Sequence, residues 1–154
     1  MLVIMADNPL DDMLCFSLYA ASRSVSQAYR AVLAEHDITY PQFLVLVSLH
    51  QSGEASVGEL GAMMHLDSGT LSPLLQRLES RGYLTRERRP GNERVVVVAL
   101  TPEGVTLRRE VIAAVDCLAA AYGIEPGELG ALLATLQRIT TNMTELTATR
   151  KAVS

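Results

Sequence analysis

The chain has 154 residues, 49% of them apolar, and a formal net charge of −4. That length suits one domain with a real core, and the apolar share excludes a disordered chain. Two cysteines 102 positions apart exclude a disulfide scaffold, and no apolar run approaches the ~18 residues that span a bilayer. The opening Met1-Leu2-Val3-Ile4-Met5-Ala6-Asp7 has no basic flank, so a cytoplasmic protein with no membrane association is expected. His36, His50 and His65 share no ligand spacing with either cysteine, and neither a metal nor a cofactor is expected.

The first predicted element is a long helix from about Asp11 to Glu35, with Leu14, Leu18, Ala21, Val25, Ala28 and Val32 three or four residues apart. Thr39-Tyr40-Pro41 opens a second, because proline suits a first helical turn. Phe43, Leu44, Val47 and Leu49 are its expected buried residues, and Ser52-Gly53 ends it. Ser56-Val57-Gly58-Glu59 has capping-box spacing for a third helix reaching about Met64. A fourth helix follows Leu66-Asp67. It must begin near Asp67–Gly69, since Pro73 is tolerated only close to a first turn. Leu71, Leu74, Leu75 and Leu78 fall on one face of it, at the spacing of a buried stripe. Gly69, Thr70, Pro73, Gln76 and Arg77 occupy the other face. Tyr83–Arg88 and Arg94–Leu100 read as strands joined by a Pro90-Gly91-Asn92 turn. Thr101-Pro102-Glu103 starts a fifth helix to about Tyr122, Gly123 breaks it, and a sixth runs from Pro126 to about Thr147.

Charge is spread unevenly over these elements. Between Arg77 and Arg94 six arginines stand against three glutamates, a local +3 on a chain of −4, so the remainder carries −7. Such a patch neutralises phosphates. A solvated hairpin would carry the same charges, but an exposed helix beside an arginine-tipped hairpin is a winged helix-turn-helix. The fold class is therefore mainly α with a small β-hairpin. The reading is a single domain over residues 1–154, with the winged module at about 39–100 and dimerisation helices at about 11–35 and 102–148.

In a helix-turn-helix the second helix enters the major groove with its N-terminal residues nearest the bases. Ser68, Gly69, Thr70, Ser72 and Pro73 hold those places, with Gln76 and Arg77 one turn further on. Gln reads adenine and Arg reads guanine bidentately, although both also bind phosphate. Arg86 lies on the first strand, and Arg88, Arg89 and Arg94 at the hairpin tip can reach the adjacent minor groove. Specific sites usually come from a two-fold dimer on a pseudo-palindrome, so a homodimer on double-stranded operator DNA is expected. The first, fifth and sixth helices are too apolar to stand alone, and dimerisation is their natural job. The alternative is that they complete the monomer core.

The order of six helices with a wing before the fifth, and the run Leu66-Asp67-Ser68-Gly69-Thr70-Leu71-Ser72-Pro73 continuing to Arg86, resemble the MarR family of bacterial regulators. The stretches Leu14–Arg30 and Ile38–Leu46 resemble its organic-hydroperoxide-sensing branch, the OhrR-type repressors. The likeness covers about residues 11–110, and the last forty residues match only in helical character. It implies a non-enzymatic repressor that holds DNA until an organic hydroperoxide, the inducer, oxidises a cysteine near the N-terminus, here Cys15. The wing departs from the branch. Where a pattern like Asp-Pro-x-Asp-Glu-Arg is common, this chain has Arg89-Pro90-Gly91-Asn92-Glu93-Arg94, which strengthens phosphate binding at the tip.

A lone cysteine on an apolar helical face is usually inert packing, and reactivity needs a thiolate. Cys15 sits near the start of the first helix, where the helix dipole favours an anion, although Asp11 and Asp12 oppose this. Tyr19, four residues on, shares its face. The resemblance adds Tyr29 and Tyr40 as hydrogen-bond donors to the sulfur. Within one helix Tyr29 lies ~21 Å from Cys15, so it must come from the partner subunit. The resemblance also implies that Cys117 resolves the sulfenic acid into an intersubunit disulfide, a redox pair for which the alternative is small-residue packing in an alanine-rich helix. Leu14 and Phe16 would line an apolar peroxide pocket. Two rival functions remain at this level: a repressor gated by a small phenolic ligand with bystander cysteines, and a small thiol peroxidase.

Overall fold

The structure, a computed structural model, describes residues 8–89 and 91–153. In chain order it has α1 (Leu14–Leu33) with a 3-10 turn (Ala34–His36), α2 (Tyr40–Ser52), β1 (Glu54–Ser56), α3 (Val57–Met64) and α4 (Ser68–Ser80). Then come β2 (Leu84–Arg89), β3 (Asn92–Leu100), α5 (Pro102–Val115), α6 (Cys117–Ala121) and α7 (Pro126–Val153). None of these helices is long and apolar enough to cross a membrane. Among the described residues no three His, Cys, Asp or Glu side chains gather as a metal site.

Helix starts follow the capping chemistry. Ahead of α2 the Thr39 amide donates to Gln42 Oε1 at 2.9 Å, which satisfies the buried Gln42 side chain. Before α3 the Ser56 amide donates to Glu59 Oε2 at 2.7 Å, and the Glu59 amide returns a bond to Ser56 Oγ at 3.2 Å. Helix α4 begins at Ser68 with Asp67 as its N-cap.

Several expectations change in detail. Helix α1 starts at Leu14 rather than Asp11, so Asp11 and Asp12 precede the helix and Cys15 lies in its first turn. In α2 the buried apolar residues are Phe43, Val45, Leu46 and Leu49; Leu44 is half-buried and Val47 exposed. The helix is covered on more than one side, packing against α1, α3, α4 and α5, so a one-face pattern underestimates its core. In α4, Leu71, Leu75 and Leu78 are fully buried and Leu74 only half so. The expected fifth helix is interrupted at Asp116, giving α5 and the short α6. Pro90, part of the expected turn, lies outside the described residues.

The hairpin is larger than expected. The sheet has three antiparallel strands in the order β1-β3-β2, with Ala55 opposite Val98 and Leu84 opposite Leu100. Strand β1 thus joins the link between α2 and α3 to the wing. At the tip Arg88 pairs with Val96 but Arg89 with Asn92, so the ladder changes register there.

The chain divides into two compact units with the boundary after Leu118. In the first, Leu33, Ile38, Leu46, Leu60, Leu71, Leu75, Leu84, Val98 and Val111 belong to one core shared by the helices and the sheet. The second is dominated by α7, whose Leu129, Leu132, Leu133, Leu136, Met143 and Leu146 are all exposed.

Candidate DNA interface and cysteine site

The turn between α3 and α4 is tight. His65 caps α3 in the left-handed conformation (φ 53°), and the Leu66 amide donates to Gly61 O at 2.9 Å. A Cβ at Gly61 would stand 2.8 Å from Leu66 O, so only glycine lets the chain pass this close. Asp67 then fixes the first turn of α4: Oδ1 accepts from the Thr70 amide at 2.9 Å and Oδ2 from Thr70 Oγ1 at 3.0 Å. Those two bonds, the amide's first, hold the Asp67 carboxyl below its ordinary range.

The cap makes a prediction about acid. A carboxyl whose folded pKa is depressed contributes stability above its unfolded value, and that contribution vanishes as pH falls through the folded value. Asp67→Ala is therefore expected to melt below the wild type near pH 7, with the gap closing as pH falls below the ordinary carboxylate range. Melts showing a constant gap across that range would remove the charged cap from the account.

With α4 anchored on Leu71, Leu75 and Leu78, the residues Ser68, Gly69, Thr70, Ser72, Pro73, Gln76 and Arg77 all lie exposed on the face away from the core. Their small size near the helix start allows close approach to a groove. At the wing, Arg88, Arg89 and Arg94 are exposed. Arg89 lies close enough to Glu59 for its charge to lower the carboxyl further, after the two bonds to Ser56. Arg86 differs from these. Its Nε and Nη2 both donate to Glu79 Oε2, at 2.8 and 2.5 Å, binding the wing to the end of α4. Sequence reading grouped Arg86 with the DNA contacts; the structure gives its guanidinium an intramolecular partner that only the fold brings near.

The cysteine site is divided. Cys15 is exposed in the first turn of α1. Tyr29, on the same unbroken helix, is therefore ~21 Å along the axis from it. Tyr29 and Tyr40 are brought together, their ring centroids 4.7 Å apart, with Phe43 5.6 Å from Tyr29. Tyr19 is exposed and accepts a hydrogen bond from Arg23 Nη1 at 3.1 Å. Leu14 is exposed, and Phe16 is half-buried with its ring 6.4 Å from that of Tyr19. Cys117 is exposed at the start of α6, where its thiol donates to Ala114 O at 3.3 Å. Sequence reasoning missed Arg81, because its carbonyl partners at Asp37 and His36 are 44 and 45 residues away.

Residues 38–96 match the sequence pattern of the MarR family. Over 103 residues the chain is 41% identical to the organic hydroperoxide resistance transcriptional regulator of Bacillus subtilis, covering 67% of this chain and 70% of that one. The chain belongs to the MarR family. This MarR-family chain is also 46% identical over 114 residues to the transcriptional regulator TtmR of Methylorubrum extorquens, a match over 73% of this chain that spans only 56% of that relative. Among solved structures, AbfR of Staphylococcus epidermidis superposes with a TM-score of 0.76 at 32% identity, covering 88% of this chain and 94% of its own. These relatives give the MarR-family chain its general role as a DNA-binding transcriptional regulator with a winged-helix fold.

Proposed function

We propose that this regulator is a homodimeric repressor that binds pseudo-palindromic operator DNA while reduced and releases it when an organic hydroperoxide oxidises Cys15. The observation that carries the reading is the paired Tyr29 and Tyr40 rings, 4.7 Å apart, in a chain whose Cys15 is exposed in the first turn of α1. In a two-fold dimer the tyrosine pair of one subunit donates hydrogen bonds to the sulfur of the other. In the first unit Leu10, Met13 and Leu14 are exposed, and in the second the leucines of α7 are exposed; each is apolar surface of the kind a dimer buries.

The chemistry balances without a cofactor. The Cys15 thiolate attacks the terminal oxygen of the hydroperoxide, the O–O bond breaks, and the departing alkoxide takes a proton and leaves as the alcohol. The resulting sulfenic acid condenses with the Cys117 thiol of the partner subunit, forming the S–S bond and releasing water. A disulfide needs Cα atoms within ~7 Å, so a dimer that holds them further apart when reduced must shift its helices to close the bond, and that shift would separate the two reading heads. AbfR, solved in several redox states, supports a redox reading of this fold. It has been solved reduced on DNA and overoxidised on DNA, each with a TM-score of 0.74 to this chain, and as a disulfide form with 0.64.

Fluorescence anisotropy on DNA from the chain's own upstream region tests the reading, using one equivalent of cumene hydroperoxide and then dithiothreitol. Wild type is expected to lose at least tenfold in affinity and to recover with thiol, and Cys15→Ser to ignore the oxidant. Cys117→Ser is expected to release DNA but to recover incompletely. A wild type that binds and ignores the oxidant would replace redox sensing by gating with a small phenolic ligand.

A further inference from the structure

Arg81 follows the last residue of α4, and its guanidinium reaches back to the junction between α1 and α2. Nη1 donates to Asp37 O, Nη2 donates to His36 O at 3.4 Å, and Nη2 lies 3.5 Å from the Asp37 carboxylate. The guanidinium carbon stands 5.0 Å from the centre of the Tyr83 ring, at the root of the wing. The side chain is only 26% exposed. What it grips is the tight turn between α1 and α2, hereafter the hinge. Asp37 is left-handed (φ 51°), its amide donates to Ala34 O at 3.1 Å, and the flanking Leu33 and Ile38 are buried in the core.

We propose that Arg81 is a positioning residue that ties the reading helix α4 to the α1–α2 hinge, so that the orientation of α4 on DNA and the conformation of the hinge are coupled. A planar guanidinium holding two carbonyls and a carboxylate fixes direction as well as distance, which a single point contact does not. Coupling is reciprocal: if the hinge sets α4, then DNA holding α4 must stabilise the hinge. The coupling needs no oxidant, and Cys15→Ser must show it as fully as wild type, so its failure and the failure of redox sensing are separable.

Residue-resolved amide hydrogen exchange on the full-length dimer tests this, with and without the tightest duplex selected from a random-sequence library. In wild type, saturating duplex is expected to slow exchange at Asp37 and Ile38 by about tenfold. In Arg81→Met the slowing at those two amides falls below twofold, while amides of Leu71 and Leu75 in α4 remain protected by DNA. Arg81→Lys, which keeps the charge but lacks the fork, is expected to fall between them, and it decides the matter if Arg81→Met does not fold. Wild-type slowing retained in Arg81→Met or Arg81→Lys, or no slowing at the hinge in wild type, would overturn the proposal. A purely stabilising role would lower the melting temperature of these variants and leave the DNA-induced slowing intact.

Discussion

Gly104→Ala is expected to destabilise the winged module by about 3 kcal/mol, at the upper end of overpacking substitutions. In a chain of this size that is a fall of roughly 6–12 °C in melting temperature. A Cβ at Gly104 would lie 1.9 Å from Tyr83 O and 2.9 Å from the Tyr83 carbonyl carbon. That carbonyl has no freedom to step aside, because it accepts from the Thr101 amide at 3.2 Å. Thr101 Oγ1 is itself held, donating to Gly82 O at 2.6 Å and accepting from the Gly104 amide at 3.0 Å. The start of α5 is thus bolted to the root of the wing, and a methyl group there must push the two apart. Gly58→Ala is the control, since its Cβ meets only Ser56 Oγ at 4.0 Å. Its melting temperature is expected to stay within a degree or two of wild type. Equal melting of the two variants would show that the α5–wing junction yields.

The second large effect concerns DNA. Each phosphate neutralised contributes about 0.9 to the slope of log affinity against log salt. The double variant Arg89→Ala, Arg94→Ala removes two exposed cations per subunit. In a dimer the slope is expected to fall by about 3.6, with affinity lost almost equally on every sequence. Arg86→Ala is expected to leave the slope nearly unchanged, because its guanidinium is held by Glu79 rather than offered to phosphate. Its cost would appear as a lower melting temperature and a weaker but equally salt-dependent affinity. A slope reduced by Arg86→Ala would mean that DNA displaces Glu79, and an unchanged slope in the double variant would take the wing tip off the phosphates.

Much of the fold was legible because its signals are local. The Ser56–Glu59 spacing, Pro41 and the place of Pro73 mark the starts of α3, α2 and α4, and all three starts are found. The leucines of α4 likewise gave its buried face almost fully. Strand β1 was invisible because three residues are too few to show alternation, and its pairing with β3 comes from a strand over forty residues later. The stop at Asp116 was hidden in an alanine-rich run that reads as continuous helix. At the site, the exposed face of α4 was readable from periodicity, whereas the approach of Tyr29 to Tyr40 came only from family resemblance. The partners of Arg86 and Arg81 were beyond reach, since nothing in the neighbouring residues says where a long cationic side chain will find its acceptor.

The change of register between Arg88 and Arg89 separates the wing tip from the ladder beneath it. Substitutions, and even insertions, beyond that point do not shift which side chains of β2 and β3 face the core, so Leu84 and Val98 stay where they are. The tip is therefore a segment in which evolution can rewrite charge and length at little cost to folding. Such changes alter how strongly the wing holds phosphate, with the reading helix, its caps and its hinge left unaltered.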